Sequence, residues 1–159
     1  MAEDKQNENA VIAYTSLCQM LDEEGWTYDK HDDEMTIDLT VTGDDLPMSS
    51  TIEIDTERQT VIMMSPMPFK VPSDKRFDLA IAVSLANYGM VDGSFDYNFL
   101  EGDIAFRITS SFIDSMLGKD LFKYMTYTAF STIDKYNDKF LKIAATKMSV
   151  AEIIEFMKE

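Results

Sequence analysis

The chain reads as an α+β domain, an antiparallel sheet of about six strands with helices packed on it, in the order α-β4-α-β2-α-α. Three observations carry that expectation. Met35, Ile37, Leu39 and Val41 alternate with Thr36, Asp38, Thr40 and Thr42, the period of a strand with one face in water. Gly93–Arg107 holds two alternating runs, Phe95, Tyr97, Phe99 and Ile104, Phe106, on either side of Glu101-Gly102. Phe122, Met125, Ala129, Ile133, Tyr136, Phe140 and Ile143 recur at helical spacing.

Taken in order, residues 1–9 read as a flexible acidic tail and 10–159 as a single domain. Asn9 caps a helix to about Glu24, with Ala10, Tyr14, Leu17, Cys18 and Leu21 on one face. Gly25 stops it, and Trp26 follows where an apolar contact commonly closes a helix end. Strands are expected near Trp26–Lys30, Met35–Thr42, Thr51–Thr56 and Thr60–Ser65. Pro66-Met67-Pro68-Phe69-Lys70-Val71-Pro72 lacks too many ladder donors for a central strand and reads as an extended crossover. Ser73 caps a second helix to about Tyr88, whose stripe is Phe77, Ile81, Leu85 and Tyr88.

A tight turn at Glu101-Gly102 would set Phe99 opposite Ile104, Tyr97 opposite Phe106, Phe95 opposite Ile108 and Asp96 opposite Arg107. Ser110–Gly118 is ambiguous. A long helix follows from roughly Lys119 to Ile143, and Ser149-Val150-Ala151-Glu152 is a capping box opening a last short helix.

Charge is unevenly spread. Residues 1–60 hold sixteen acids and three bases, a balance of −13, out of a total of −15. Such a surface repels nucleic acid and anionic membranes and attracts a basic protein segment. No apolar run is long enough to span a bilayer, and the polar start lacks a signal-peptide pattern, so a cytoplasmic protein is expected.

No catalytic or ligand motif stands out. Cys18 sits on an apolar helix face and His31 in an acidic turn, with no motif joining them, so a Cys–His nucleophile is not expected. Asp29, Asp32, Asp33 and Glu34, or Asp44 and Asp45, offer oxygens but not the spacing of a calcium loop. Phosphate-cradling glycine loops and zinc ligand sets are missing. The expectation is a non-enzymatic chain with no cofactor and no metal.

Arg107 interrupts an apolar strand, and its place opposite Asp96 reads as a structural ion pair rather than a ligand site. Met63, Met64, Met67 and Phe69, beside the proline crossover, are the candidate partner-binding residues, because methionine adapts to varied partners. The strand ending at Pro66 is a candidate edge for an added partner strand. The leading expectation is a protein-binding module, chaperone-like or regulatory. The alternative is a small-molecule sensor with a pocket between sheet and long helix, marked by Arg107, Tyr97 or Tyr124.

A helix ending in Gly25-Trp26, four strands, a helix ending in Asn87, then Gly93-x-Phe95-x-Tyr97, Gly102-x-Ile104-x-Phe106-Arg107 and long C-terminal helices together resemble the YbjN-like family. That family shares the fold of the type III secretion chaperones. The resemblance implies a small acidic bacterial cytoplasmic protein that holds a protein client or acts as a sensory or stress regulator. It also implies a homodimer. It brings no catalytic residues, and Gly93, Phe95, Asp96, Gly102 and Arg107 are read as structural.

Overall fold

The computed structural model describes residues Ala2–Lys158. Helix α1 (Ala2–Glu23) leads into strands β1 (Tyr28–His31), β2 (Thr36–Thr42), β3 (Pro47–Asp55) and β4 (Thr60–Pro66). After the crossover and a 3₁₀ turn come α2 (Arg76–Asn87), the hairpin β5 (Ser94–Asn98) and β6 (Asp103–Ser111), then α3 (Lys119–Ala145) and α4 (Val150–Lys158). The six strands form one antiparallel sheet in the order β1-β2-β3-β4-β6-β5.

Registration sorts the side chains onto two faces. Ile37, Ile52, Met63 and Ile108 are directly opposed on successive strands and all are buried. Asp38, Thr51, Met64, Arg107 and Ser94 form the corresponding row on the opposite face, and none of these is buried. The core thus lies between one sheet face and the helices, where α3 sets Phe122, Met125, Ala129, Ile133, Phe140 and Ile143 inward. Each large side chain buried there contributes roughly 1.5–3 kcal/mol.

Local signals account for most boundaries. Gly25 adopts φ +71°, Trp26 N donates to Leu21 O at 2.9 Å and Gly25 N to Asp22 O at 3.1 Å, closing α1 with both bonds of a Schellman motif. Trp26 then packs against Tyr127 and Phe130 of α3. The capping box before α4 forms as expected: Ser149 N donates to Glu152 Oε2 at 2.6 Å and Glu152 N to Ser149 Oγ at 3.3 Å.

Four expectations are corrected. Helix α1 runs from Ala2, so Asn9 is interior rather than a cap. Residues 2–9 contain neither proline nor glycine to stop it. Residue 1 of the expected tail lies outside the described residues. Strand β3 starts at Pro47, since proline is tolerated as a first strand residue. Strand β4 is central, flanked by β3 and β6, so it offers no edge to a partner.

The fourth correction concerns the hairpin. Its loop is four residues long and its register is shifted by two: Phe95 faces Phe106 and Tyr97 faces Ile104. Phe99 leaves the strand to pack edge-on against Phe77 at 4.9 Å. Asn98 ties the loop, accepting Leu100 N and Glu101 N on its Oδ1, each at 3.2 Å. Arg107 still reaches Asp96, now diagonally, through Nε–Oδ2 at 2.6 Å and a second bond at 3.1 Å.

The crossover lies along the start of β6 and uses its few donors. Met67 N donates to Ile104 O at 2.8 Å and Val71 N to Gly102 O at 2.9 Å. Gly102 holds φ +79° with Val71 backbone where a Cβ would sit. Gly102→Ala therefore combines backbone strain with a clash the chain cannot relieve by side-chain movement. It is expected to cost about 2–4 kcal/mol, read as a lower urea midpoint with unchanged slope.

Candidate protein-binding surfaces

The four candidate partner-binding residues do not come together. Met63 and Met67 are core residues, 1% and 7% exposed. Met64 is half-buried on the uncovered sheet face, and Phe69 is half-buried against the core. Alternation explains the split between Met63 and Met64, because neighbours on a strand point to opposite faces.

The uncovered face is polar and cross-linked. Thr51 Oγ1 donates to Asp38 Oδ1 at 2.6 Å, and His31 Nε2 lies 3.1 Å from Asp38 Oδ2. The Thr51 hydroxyl, more than His31, holds the Asp38 carboxyl below its ordinary range. Thr40 and Ser49 share a bond at 2.9 Å. A shallow hollow of about 380 Å³ opens here, edged by Asp29, Asp38, Thr40, Ser49, Thr51 and Pro66.

Nearby, Asp44 N donates to Asp134 Oδ1 at 3.0 Å, bringing the β2–β3 turn onto α3. Asp45 then sits near Asp138, Asp134 and Asp44; its carboxyl is pushed up, first by desolvation and then by these three charges. Among the described residues no group of three or more His, Cys, Asp or Glu is arranged to hold a metal ion. Cys18 is half-buried and desolvation pushes its thiol up, away from nucleophilic character.

Two of the three residues proposed to mark a small-molecule pocket are already engaged beside a second hollow. This space of about 370 Å³ lies between the sheet and α3, lined in part by Arg107 and Tyr124. Asp96 holds the Arg107 guanidinium and raises its pKa further; the Tyr124 hydroxyl donates to Asp92. Neither group is left to converge on a ligand. The third, Tyr97, donates its hydroxyl to Arg76 O at 3.2 Å.

A further apolar surface is the stripe on α2. Leu79, Ala82, Val83 and Ala86 face the core, Phe77, Leu85 and Tyr88 are exposed, and Ile81 between them is half-buried against the core. Phe77 is 75% exposed and Tyr88 91%. Helix α2 carries two apolar faces, and the smaller residues fit the crowded inner one; counting large apolar residues selects the wrong face. Ala80 and Ser84 complete the outer face, and Asp78, paired with Lys75 at 3.2 Å, borders it beside Leu85. Beside it, Phe99 packs on Phe77 and Leu100 is 76% exposed.

A one-sided antiparallel sheet with helices packed on its other face places the chain in the α+β class. The solved structures similar to this chain include YbjN of E. coli, with 14% identity and a TM-score of 0.55, covering 79% of this chain and 92% of that one. The ExsC–ExsE complex matches at 13% identity and a TM-score of 0.54, over 79% of this chain and 90% of the other. The HopA1–SchA chaperone–effector complex matches at 14% identity and 0.54, over 81% and 95%. No curated protein sequence matches the chain. The family model of YbjN, described as "Putative bacterial sensory transduction regulator", matches residues 14–142, and the chain belongs to that family.

The Asp38 network makes an acid-limb prediction. A carboxyl depressed in the folded state stabilises it above the unfolded pKa of roughly 3.9 and loses that effect as pH falls through the lower folded value. Asp38→Asn should lower the melting temperature at pH 7, with the difference from wild type closing as pH falls through the depressed folded value of Asp38. Thermal melts across that range measure it; a pH-independent difference would assign the loss to packing instead.

Proposed function

We propose that this protein is a non-enzymatic, cytoplasmic, chaperone-like or regulatory module that pairs with a second copy through the outer face of α2 and holds a basic protein segment on its anionic half. The family supports a regulatory role and the two neighbouring complexes support protein partners. No helix among the described residues is long and apolar enough to cross a membrane.

The observation that carries the reading is the apolar outer face of α2, whose bordering Asp78 is paired with Lys75, on a chain of net charge −15. Like-charged copies repel almost everywhere, and contact is least opposed where charge is absent. The face is also self-complementary. Ile81 lies midway between Phe77 and Leu85, so an antiparallel two-fold pairing sets Phe77 of one copy against Leu85 of the other, with Ala80 and Ser84 allowing close approach. The anionic half supports the other partner: Asp29, Asp33, Glu53 and Glu57 have no basic side chain within 4 Å among the described residues. Complementary charge would give a basic segment fast, salt-sensitive association.

Analytical ultracentrifugation tests the pairing. Wild type is expected at twice the chain mass, and Leu85→Asp, at an exposed position, at the chain mass, because each copy's carboxylate would be desolvated against Phe77 of the other and weaken the contact by more than about a hundredfold. Circular dichroism melts should move only a few degrees. A wild type that sediments as one chain at every concentration overturns the self-pairing.

A further inference from the structure

Strand parity identifies a second, directional docking element. Met67 N donates to Ile104 O and Phe112 N to Gln59 O, so even-numbered residues of β6 turn their backbone groups toward β4. The odd-numbered residues therefore turn theirs to the other side, where β5 takes up those of Asp103, Ala105 and Arg107 through Asn98, Asp96 and Ser94. Strand β5 begins at Ser94, yet β6 continues to Ser111. The N–H and C=O of Thr109 and Ser111 face a position where no strand lies.

The cause is Gly93. It adopts φ +76°, and a Cβ there would lie 2.5 Å from Phe106 Cζ and 2.8 Å from Arg107 O. This left-handed residue turns the incoming chain off the ladder before it can pair with Thr109. The other edges of the sheet are managed. Asn87 donates its Nδ2 to Phe95 O at 2.9 Å and accepts Phe95 N on its Oδ1 at 2.8 Å, so a side-chain amide blunts the outer edge of β5. Strand β1 is four residues long and carries Asp29, Lys30 and His31.

The uncovered stretch of β6 opens on the 370 Å³ hollow, whose inner wall is Leu121 and Met125 of α3. Apolar side chains stand at both ends: Val91 is 92% exposed before β5, and Ile113 59% after β6. We infer that Thr109–Ser111 is a strand-addition slot, taking an extended segment of another protein that bonds to these two residues through its backbone and places one apolar side chain against Leu121 and Met125. Backbone donors and acceptors alternating along an edge select an extended chain, and the hollow selects an apolar residue at the inward position. Asp92 at the rim and the net charge of −15 favour basic rather than acidic flanks. This rests on the protein-binding reading and names a place and mode of contact for the partner.

Amide exchange followed by NMR, with a labelled peptide Lys-Val-Thr-Val-Thr-Val-Lys as probe, tests it. In the free protein Thr109 and Ser111 amides should exchange at least about tenfold faster than those of Ile108 and Ser110, and slow once the peptide is added. Thr109→Pro removes the edge-facing donor without touching a β4–β6 bond, so the fold should survive and peptide affinity fall at least about tenfold. Leu121→Glu, which leaves the edge intact, should weaken the peptide similarly by charging the wall of the hollow. Thr109 and Ser111 amides as protected as Ile108 in the free protein, no protection at millimolar peptide, or full affinity in both variants would each overturn the slot. The protein-binding reading is scored separately, by salt-sensitive capture of a stoichiometric partner from lysate by the full chain. Capture retained by Thr109→Pro removes the slot alone, and an empty capture removes the reading beneath it.

Discussion

Phe95 is the point on which the arrangement of sheet, α2 and α3 depends, because both its side chain and its backbone are consumed there. Its ring packs edge-on against Phe106, Tyr136 and Phe140 at 5.0–5.6 Å, joining β5 to β6 and to the long helix. Its N–H and C=O are held by the Asn87 carboxamide at the end of α2. Such aromatic pairs add about 0.5–1.5 kcal/mol each beyond area burial, and leaving either backbone group unpaired would cost roughly 1–3 kcal/mol. One residue therefore fixes where α2 ends and how β5 lies beneath it, and so which side of α2 is left outside.

The consequence is a surface divided by chemistry rather than by chain position alone. With the helices on one face of the sheet, the other face keeps hydroxyls and carboxylates in water, linked across strands by Thr51–Asp38, Thr40–Ser49 and Arg107–Asp96. These exposed bonds orient the face more than they stabilise it, since surface ion pairs contribute about 0–1 kcal/mol. Charge between helices is used more selectively. Lys119 pairs with Glu23 at 2.6 Å and Lys123 with Glu24 at 2.5 Å, tying the end of α1 to the start of α3.

Element order was legible in the residues, and so were the helix stops, because periodicity and turn chemistry are local properties. Gly25-Trp26, the Ser149–Glu152 box and the stripe on α3 each act within a few residues of themselves. What escaped was set by tertiary partners. The hairpin slipped by two because Phe99 finds Phe77 and Gly102 finds Val71, both distant in sequence. Which side of α2 faces the sheet is not legible from its stripe, because Leu79, Ala82, Val83 and Ala86 form a second apolar face that size alone does not reveal. Met63 and Met67 were grouped with Met64 by closeness along the chain, although the sheet separates Met63 from Met64 by its pleat and the crossover folds Met67 back onto Ile104.

The α2 face and the β6 edge offer different kinds of recognition, and the difference bears on how such a module selects its partners. An apolar helix face supplies area without direction: it accepts any surface of matching shape and excludes water. A strand edge supplies direction with little area, since a short run of backbone groups fixes polarity and register but contributes only a few hydrogen bonds. Neither suffices alone for a stable, specific complex on this small a footprint. Side-chain identity hardly matters to backbone bonds, so an edge tolerates varied sequences, while the Leu121–Met125 wall and the surrounding negative charge impose the remaining choice. Gly93 thus matters as much for the pairing it prevents as for the turn it makes: a chain that continued the ladder at this point would complete the sheet and close the edge.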